Sequence, residues 1–256
     1  MYEVLRAGMM APSSSWWCSK AGIALLLFFT SVGSYSACAA DPAPEAAKPN
    51  ETTIRGVGTT VNPAGDCAFK GDAKRLTIDI PGNDHALMTE QNRMTAPRVL
   101  QEVTGDFTTE VKVSGSYSEG GGTVVPGRRP FQGAGLLVWV DASMYIRLER
   151  AQVDAGEGQK TVYASFEARV GGKPLPIGAS SGAVLHADAT HLRLTRKGNE
   201  ITASLSEDGV NWLSSSPLKI ELPATLQVGL VAGHNKTVEF EADFEDFSVK
   251  KTADGK

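Results

Sequence analysis

The sequence predicts an all-β fold, a two-sheet antiparallel jelly-roll sandwich. Three observations predict it. Apolar and polar residues alternate with a period of two along most of the chain. Glycine, proline and asparagine turn signals separate these runs. No window carries a helical stripe of useful length, and no repeat at a fixed period suggests a propeller or solenoid. Many short strands divided by turns close as a sandwich or barrel. A body of about two hundred residues suits two packed sheets.

The elements follow in order. Residues 1–39 read as a secretory signal peptide. Arg6 and Lys20 precede the uncharged run AGIALLLFFT at 21–30, and Ala37-Cys38-Ala39 offers an A-x-A cleavage site. Met9 or Met10 is an alternative start, because the basic region is long. The run is shorter than the roughly 20 apolar residues of a membrane span, so no span is expected in the mature protein. Cys38 also fits a lipidated cysteine after Ser36 and Ala37, although Tyr35 stands where an aliphatic residue belongs. Residues 40–51 contain DPAPEAAKPN, the composition of a linker.

The sandwich is expected over 52–250. Leu76, Ile78 and Ile80 alternate with Thr77 and Asp79. Val99 to Val103 and Phe107 to Val113 follow, then the more continuously apolar AGLLVWV at 134–140. Ile146 and Leu148 alternate with Tyr145, Arg147 and Glu149. Phe166 and Ala168 alternate with Glu167 and Arg169, and Leu192 and Leu194 with His191, Arg193 and Thr195. Runs at 201–205, 228–232 and 238–244 complete the set, and Phe247 with Val249 marks a change of register. The tail KTADGK at 251–256 is expected to be disordered.

Composition narrows function. The 256 residues carry 25 Lys and Arg against 29 Asp and Glu, a net charge of -4. A nucleic-acid binder needs a basic face, so that class is excluded. Cleavage of the leader removes Cys18 and Cys38 and leaves Cys67 with no disulfide partner. Cys67 reads as a buried structural thiol, since no histidine or asparagine context marks a nucleophile. The histidines His85, His186, His191 and His234 show no metal-ligand spacing. No cofactor is expected. Calcium is possible near Asp66 or Asp72, without an oxygen-ligand loop signature.

Several segments occur in a recognisable order: GDCAFKG (65–71), LTIDIPGNDH (76–85), APRVLQEVTGDF (96–107), GAGLLVWVDASMYIRLER (133–150), LRLTRKGN (192–199), SEDGVNW (206–212) and VGLVAGH (228–234). Together they resemble a bacterial family of secreted concanavalin A-like domains of unknown function. That family is similar to the C-terminal sandwich domain of bacterial β-xylosidases. The resemblance covers nearly the whole mature chain. It implies a jelly roll with a concave face and no settled activity, because fold does not supply function.

Side chains two apart share one face of a strand. Trp139, Tyr145, Arg147, Glu149, Tyr163, Glu167 and Arg193 are therefore the expected ligand-binding residues, on one concave sheet. Sugar rings stack on Trp and Tyr while hydroxyls pair with Arg and Glu. The same pattern fits a solvated face laced with cross-strand ion pairs. The Gly/Pro-rich stretch 115–132 is the segment expected to cover that face, if any does.

Glu241, Asp243 and Glu245 spell E-x-D-x-E, which resembles the catalytic strand of laminarinase-type glucanases. A retaining pair of this kind acts as nucleophile and acid/base. Here the strand ends the domain and its acidic surroundings suit an outer face. Ser206 to Trp212 resembles the Asp-box turn of sialidases with the spacing one residue off, and Asp208-Gly209 also reads as a plain hairpin turn. The expectation is a secreted or periplasmic glycan-binding module without catalysis. A glucanase using Glu241, Asp243 and Glu245, or a protein-binding domain of the cell envelope, are the alternatives.

Overall fold

The computed structural model describes residues 51–117, 120–156, 159–177 and 183–252. All lie in the unit Ala46–Lys256. The signal peptide expected at 1–39, the linker up to residue 50 and the tail from 253 onward fall outside the described residues.

The first strands are β1 (Thr53–Ile54), β2 (Gly58–Val61), β3 (Ala68–Gly71), β4 (Arg75–Ile80), β5 (Leu87–Met88) and β6 (Arg93–Met94). Next come β7 (Arg98–Thr104), β8 (Phe107–Gly115), β9 (Phe131–Asp141), β10 (Met144–Gly156), β11 (Gln159–Val170), β12 (Lys173–Pro174) and β13 (Ala183–Val184). The last are β14 (Thr190–Lys197), β15 (Glu200–Ser206), β16 (Leu213–Ser214), β17 (Leu218–Lys219), β18 (Thr225–His234) and β19 (Phe240–Lys251).

Two antiparallel sheets make the sandwich. The first runs β1-β2-β7-β18-β9-β10-β11-β12, with β13 also on β11. The second runs β16-β15-β14-β8-β19-β4-β3, with β17 also on β15. β5 and β6 form a separate hairpin. Among the described residues, no helix is long and apolar enough to cross a membrane.

Alternation decides which side chains meet between the sheets. Leu136, Val138, Ile146, Leu148, Val228 and Leu230 of the first sheet are buried against Leu76, Ile78, Ile80, Phe240 and Phe244 of the second. Each such burial stabilises by about 1.5–3 kcal/mol relative to exposure. The expected register change near Phe247 is present. β19 bulges between Glu245 and Ser248, where Asp246 takes a φ of 54°. The folded body also ends later than residue 250: Lys251 closes β19, and the Thr252 N–H donates to the Asp106 carbonyl at 3.0 Å.

Candidate functional site

The site lies on the face of the first sheet turned away from the sandwich core. β10 sends Ile146 and Leu148 inward, and so sends Tyr145, Arg147 and Glu149 outward. β11 does the same with Tyr163, Ser165, Glu167 and Arg169. Their register places Tyr145 opposite Arg169, Arg147 opposite Glu167 and Glu149 opposite Ser165. On the other flank, Tyr145 faces Trp139, Arg147 faces Leu137 and Glu149 faces Gly135.

This face is not an open platform. Residues 84–97 fold over it as a flap, and the hairpin β5–β6 is its centre. The Tyr145 hydroxyl donates to the Leu87 carbonyl at 2.9 Å, and Arg169 donates to both carboxylate oxygens of Glu90 at 3.2 and 3.1 Å. His85 and His234 exchange backbone hydrogen bonds of 2.9 and 3.0 Å. That approach needs Gly233, because a Cβ there would lie 2.4 Å from the His85 carbonyl oxygen. The sequence leaves open whether 115–132 covers this face; the cover is mainly this flap, with Arg128, Arg129 and Phe131 adding one wall.

A cavity of about 150 Å³ remains between flap and sheet. At the outward positions Gly133 and Gly135 of β9 an added Cβ would meet the Phe131 ring at 2.8 Å and the Leu148 carbonyl oxygen at 2.0 Å, so these glycines admit close neighbours. Arg147, Glu149, Val231 and His234 line it from the sheet, and His85, Leu87 and Met88 from the flap. Arg128 and Arg129 stand exposed on its rim.

The charges beneath the flap form one network. Arg147 is 4% exposed and donates to Glu167 Oε2 from Nε at 3.2 Å and from Nη2 at 2.6 Å. Arg169 Nη1 donates to the same oxygen at 2.7 Å. Burial alone would raise the Glu167 pKa, but Arg147 and Arg169 outweigh it and hold the carboxyl at about 2. Glu149 behaves in the opposite way. It is 1% exposed, its Oε2 accepts no hydrogen bond, and Arg147 Nε lies 3.4 Å away. Burial raises its pKa, Arg147 opposes that and Glu167 reinforces it. Tyr163 beside them is raised to about 12, first by burial and then by Glu149 and Glu167.

His234 adds a second unused acceptor. Its Nε2 lies 2.7 Å from the Pro81 carbonyl oxygen, which makes Nε2 the protonated nitrogen. Nδ1 is buried and has no partner. Burial lowers its pKa to about 4, so the ring is neutral at pH 7. The cavity is thus lined by the Glu149 carboxylate, with apolar walls from Leu87 and Val231 and two arginines at its rim, while the His234 ring packs beside Phe240.

The expected ligand-binding set divides. Trp139, Tyr145, Arg147, Glu149, Tyr163 and Glu167 do share one face. Arg193 does not: it lies on β14 in the second sheet, paired with Glu110 at 2.9 Å and lying 3.6 Å from the Trp212 ring centroid. Alternation assigns a side chain to a face of its own strand and cannot assign the strand to a sheet. The aromatic platform also needs correction. Tyr145 is buried against Leu87 and stacks with Trp139, whose ring already has the Arg98 guanidinium 4.6 Å from its centroid.

Glu241, Asp243 and Glu245 share a face, as alternation requires, but it is the outer face of the second sheet. Asp243 accepts from Thr77 at 2.6 Å and Glu245 pairs with Lys112 at 3.1 Å. The turn at Asp208 is structural: its carboxylate accepts from the Val210 and Asn211 backbone N–H groups at 2.8 and 2.7 Å. Burial, reinforced by Asp66, pushes the Cys67 thiol up, which disfavours a nucleophilic thiolate. His85, Arg128 and Arg129 are cavity residues that sequence spacing did not mark.

The family profile described as Protein of unknown function (DUF1349) matches residues 72–252. The chain belongs to the DUF1349 family. No curated protein matches the sequence. Among solved structures, this DUF1349 protein is similar to a functionally unknown protein from Saccharomyces cerevisiae, with 18% identity and a TM-score of 0.57. That match covers 78% of this chain and all of the other, and it shows the sandwich fold. A xylan beta-1,4-xylosidase from Bacillus halodurans is 15% identical with a TM-score of 0.47, over 68% of this chain and 33% of that protein. The carbohydrate binding module CBM66 from Bacillus subtilis is 14% identical with a TM-score of 0.46, over 78% of this chain and all of the module.

Proposed function

We propose that this DUF1349 protein is a non-catalytic carbohydrate-binding module that holds one sugar unit in the cavity beneath the flap. The observation that carries the reading is the buried Glu149 carboxylate lining the cavity, whose Oε2 accepts no hydrogen bond and has Arg147 Nε 3.4 Å away. A buried polar group without a partner costs about 1–3 kcal/mol, so a ligand that donates to it recovers that cost. Sugar hydroxyls are such donors. A cavity of about 150 Å³ admits a benzene-sized guest, so it takes the edge of one sugar ring through its mouth rather than a chain. Arg128 and Arg129 at the rim favour a sugar carrying a carboxylate or sulfate. Secretion through the leader at 1–39 belongs to the same proposal, since polysaccharides lie outside the cell.

The test is a glycan array followed by calorimetric titration of the best ligand. Arg128→Ala with Arg129→Ala is expected to weaken an acidic glycan at least tenfold, and Arg193→Ala to leave affinity unchanged. Equal affinities in all three proteins would reject the cavity as the site. Product analysis on the same polysaccharides separates binding from catalysis: cleavage lost in Glu149→Gln would make the raised carboxyl of Glu149 a general acid and the module an enzyme.

A further inference from the structure

Asp66 and Cys67 close the loop before β3, while His85 begins the flap 18 residues later. The fold brings them together. Cys67 Sγ lies 3.5 Å from Asp66 Oδ1 and 3.7 Å from His85 Nδ1, and His85 Nε2 lies 3.4 Å from Asp66 Oδ2. One ligand atom from each residue lies within 4.8 Å of the other two. Metal bonds of about 2.0–2.3 Å at tetrahedral angles set ligand atoms about 3.3–3.7 Å apart, so the three side chains close around an ion by rotating toward one another.

We propose that Asp66, Cys67 and His85 bind one divalent cation of the zinc class. The second observation is the state of His85. Its side chain is wholly buried, and Nε2 makes no hydrogen bond. Nδ1 lies 3.4 Å from the Thr95 carbonyl oxygen. An Nδ1–H donated to that carbonyl leaves the Nε2 lone pair, which faces Asp66, to bind the metal, and Cys67 Sγ, whose 3.7 Å contact is with Nδ1, turns toward Nε2 to share it. The loop is held in place as well, because Asn62 Nδ2 donates to the Cys67 carbonyl at 2.8 Å.

The donor set selects the metal. A thiolate and an imidazole suit zinc, whereas calcium takes oxygen ligands in larger number. Calcium, which the sequence leaves possible near Asp66 or Asp72 without indicating it, suits this donor set less, and Asp72 is bonded to Arg55 and the Lys74 N–H. Three protein ligands leave a fourth position, and the exposed side of Asp66 opens it to water. Asp66 and Cys67 precede the family match at 72–252, so family membership does not imply the site. The bound cation would fasten the β3 loop to the root of the flap. None of this depends on the sugar reading.

The experiment titrates cobalt(II) into the full chain carrying Cys18→Ser and Cys38→Ser, which makes Cys67 its one thiol. One equivalent is expected to give a thiolate-to-cobalt charge-transfer band. Zinc should displace the cobalt, and calcium should not. Cys67→Ser in that background should abolish the band. Asp66→Asn changes an exposed side chain, keeps the fold and should weaken binding at least tenfold. No band, a band surviving Cys67→Ser, or unchanged affinity in Asp66→Asn would each overturn the site.

Discussion

Arg147→Ala is expected to destabilise the protein by about 3–5 kcal/mol at neutral pH, the cost of removing one partner from a buried ion network. Glu149 would lose the guanidinium 3.4 Å away, and Glu167 would keep only Arg169. Urea unfolding measures the loss directly. The sign of its pH dependence follows from Glu167. Its folded pKa, about 2, lies below the ordinary 4.5, so its contribution is complete above that value and vanishes as pH falls toward 2. The gap between wild type and Arg147→Ala should therefore narrow on acidification through that window. A gap independent of pH would show that Arg147 acts through packing alone. Adding Glu149→Gln to Arg147→Ala should recover part of the loss, because the carboxylate left unpaired is then neutral.

Glu149→Gln alone is expected to act in two opposite directions. Ligand binding should fall at least a hundredfold, on the order of 3 kcal/mol for a lost bond to a charged group. Stability should rise by about 1 kcal/mol, as happens when a strained functional site is relaxed. The linkage sign agrees. A carboxyl whose folded pKa is raised makes the protein less stable as pH rises above the ordinary carboxylate range. The amide removes that dependence, and Arg147 keeps its bonds to Glu167. Calorimetric titration with the array ligand and thermal unfolding at pH 7 separate the two effects. A variant that binds normally and melts lower would contradict both the site and the electrostatic account.

The strands were legible because burial on one face writes itself into every second residue. Leu76, Ile78 and Ile80 needed no structure to be paired with a core. The outward set at Tyr145, Arg147, Glu149, Tyr163 and Glu167 was legible for the same reason. Arg193 was not, since alternation is silent about which sheet receives a strand. The flap was invisible because β5 and β6 contain two residues each, too few to show a period. The cavity was hidden in another way: it lies between the sheet and that flap, and Gly233 matters only because the His85 backbone approaches it. Cys67 and His85 meet only because β4 turns back between them.

The polar face has a consequence for how β10 and β11 find each other. A slip of two residues preserves every inward-facing apolar position, so the core alone cannot reject it. The charges can. In one direction the slip sets Arg147 opposite Arg169 and Glu149 opposite Glu167, two like-charged pairs. In the other it sets Arg147 opposite Ser165 and Glu149 opposite Tyr163, and the ion pairs are lost. The observed alignment of Arg147 with Glu167 avoids both. The residues that leave a carboxylate waiting beneath the flap also act as a molecular vernier, fixing the alignment of the two long strands on which that carboxylate depends.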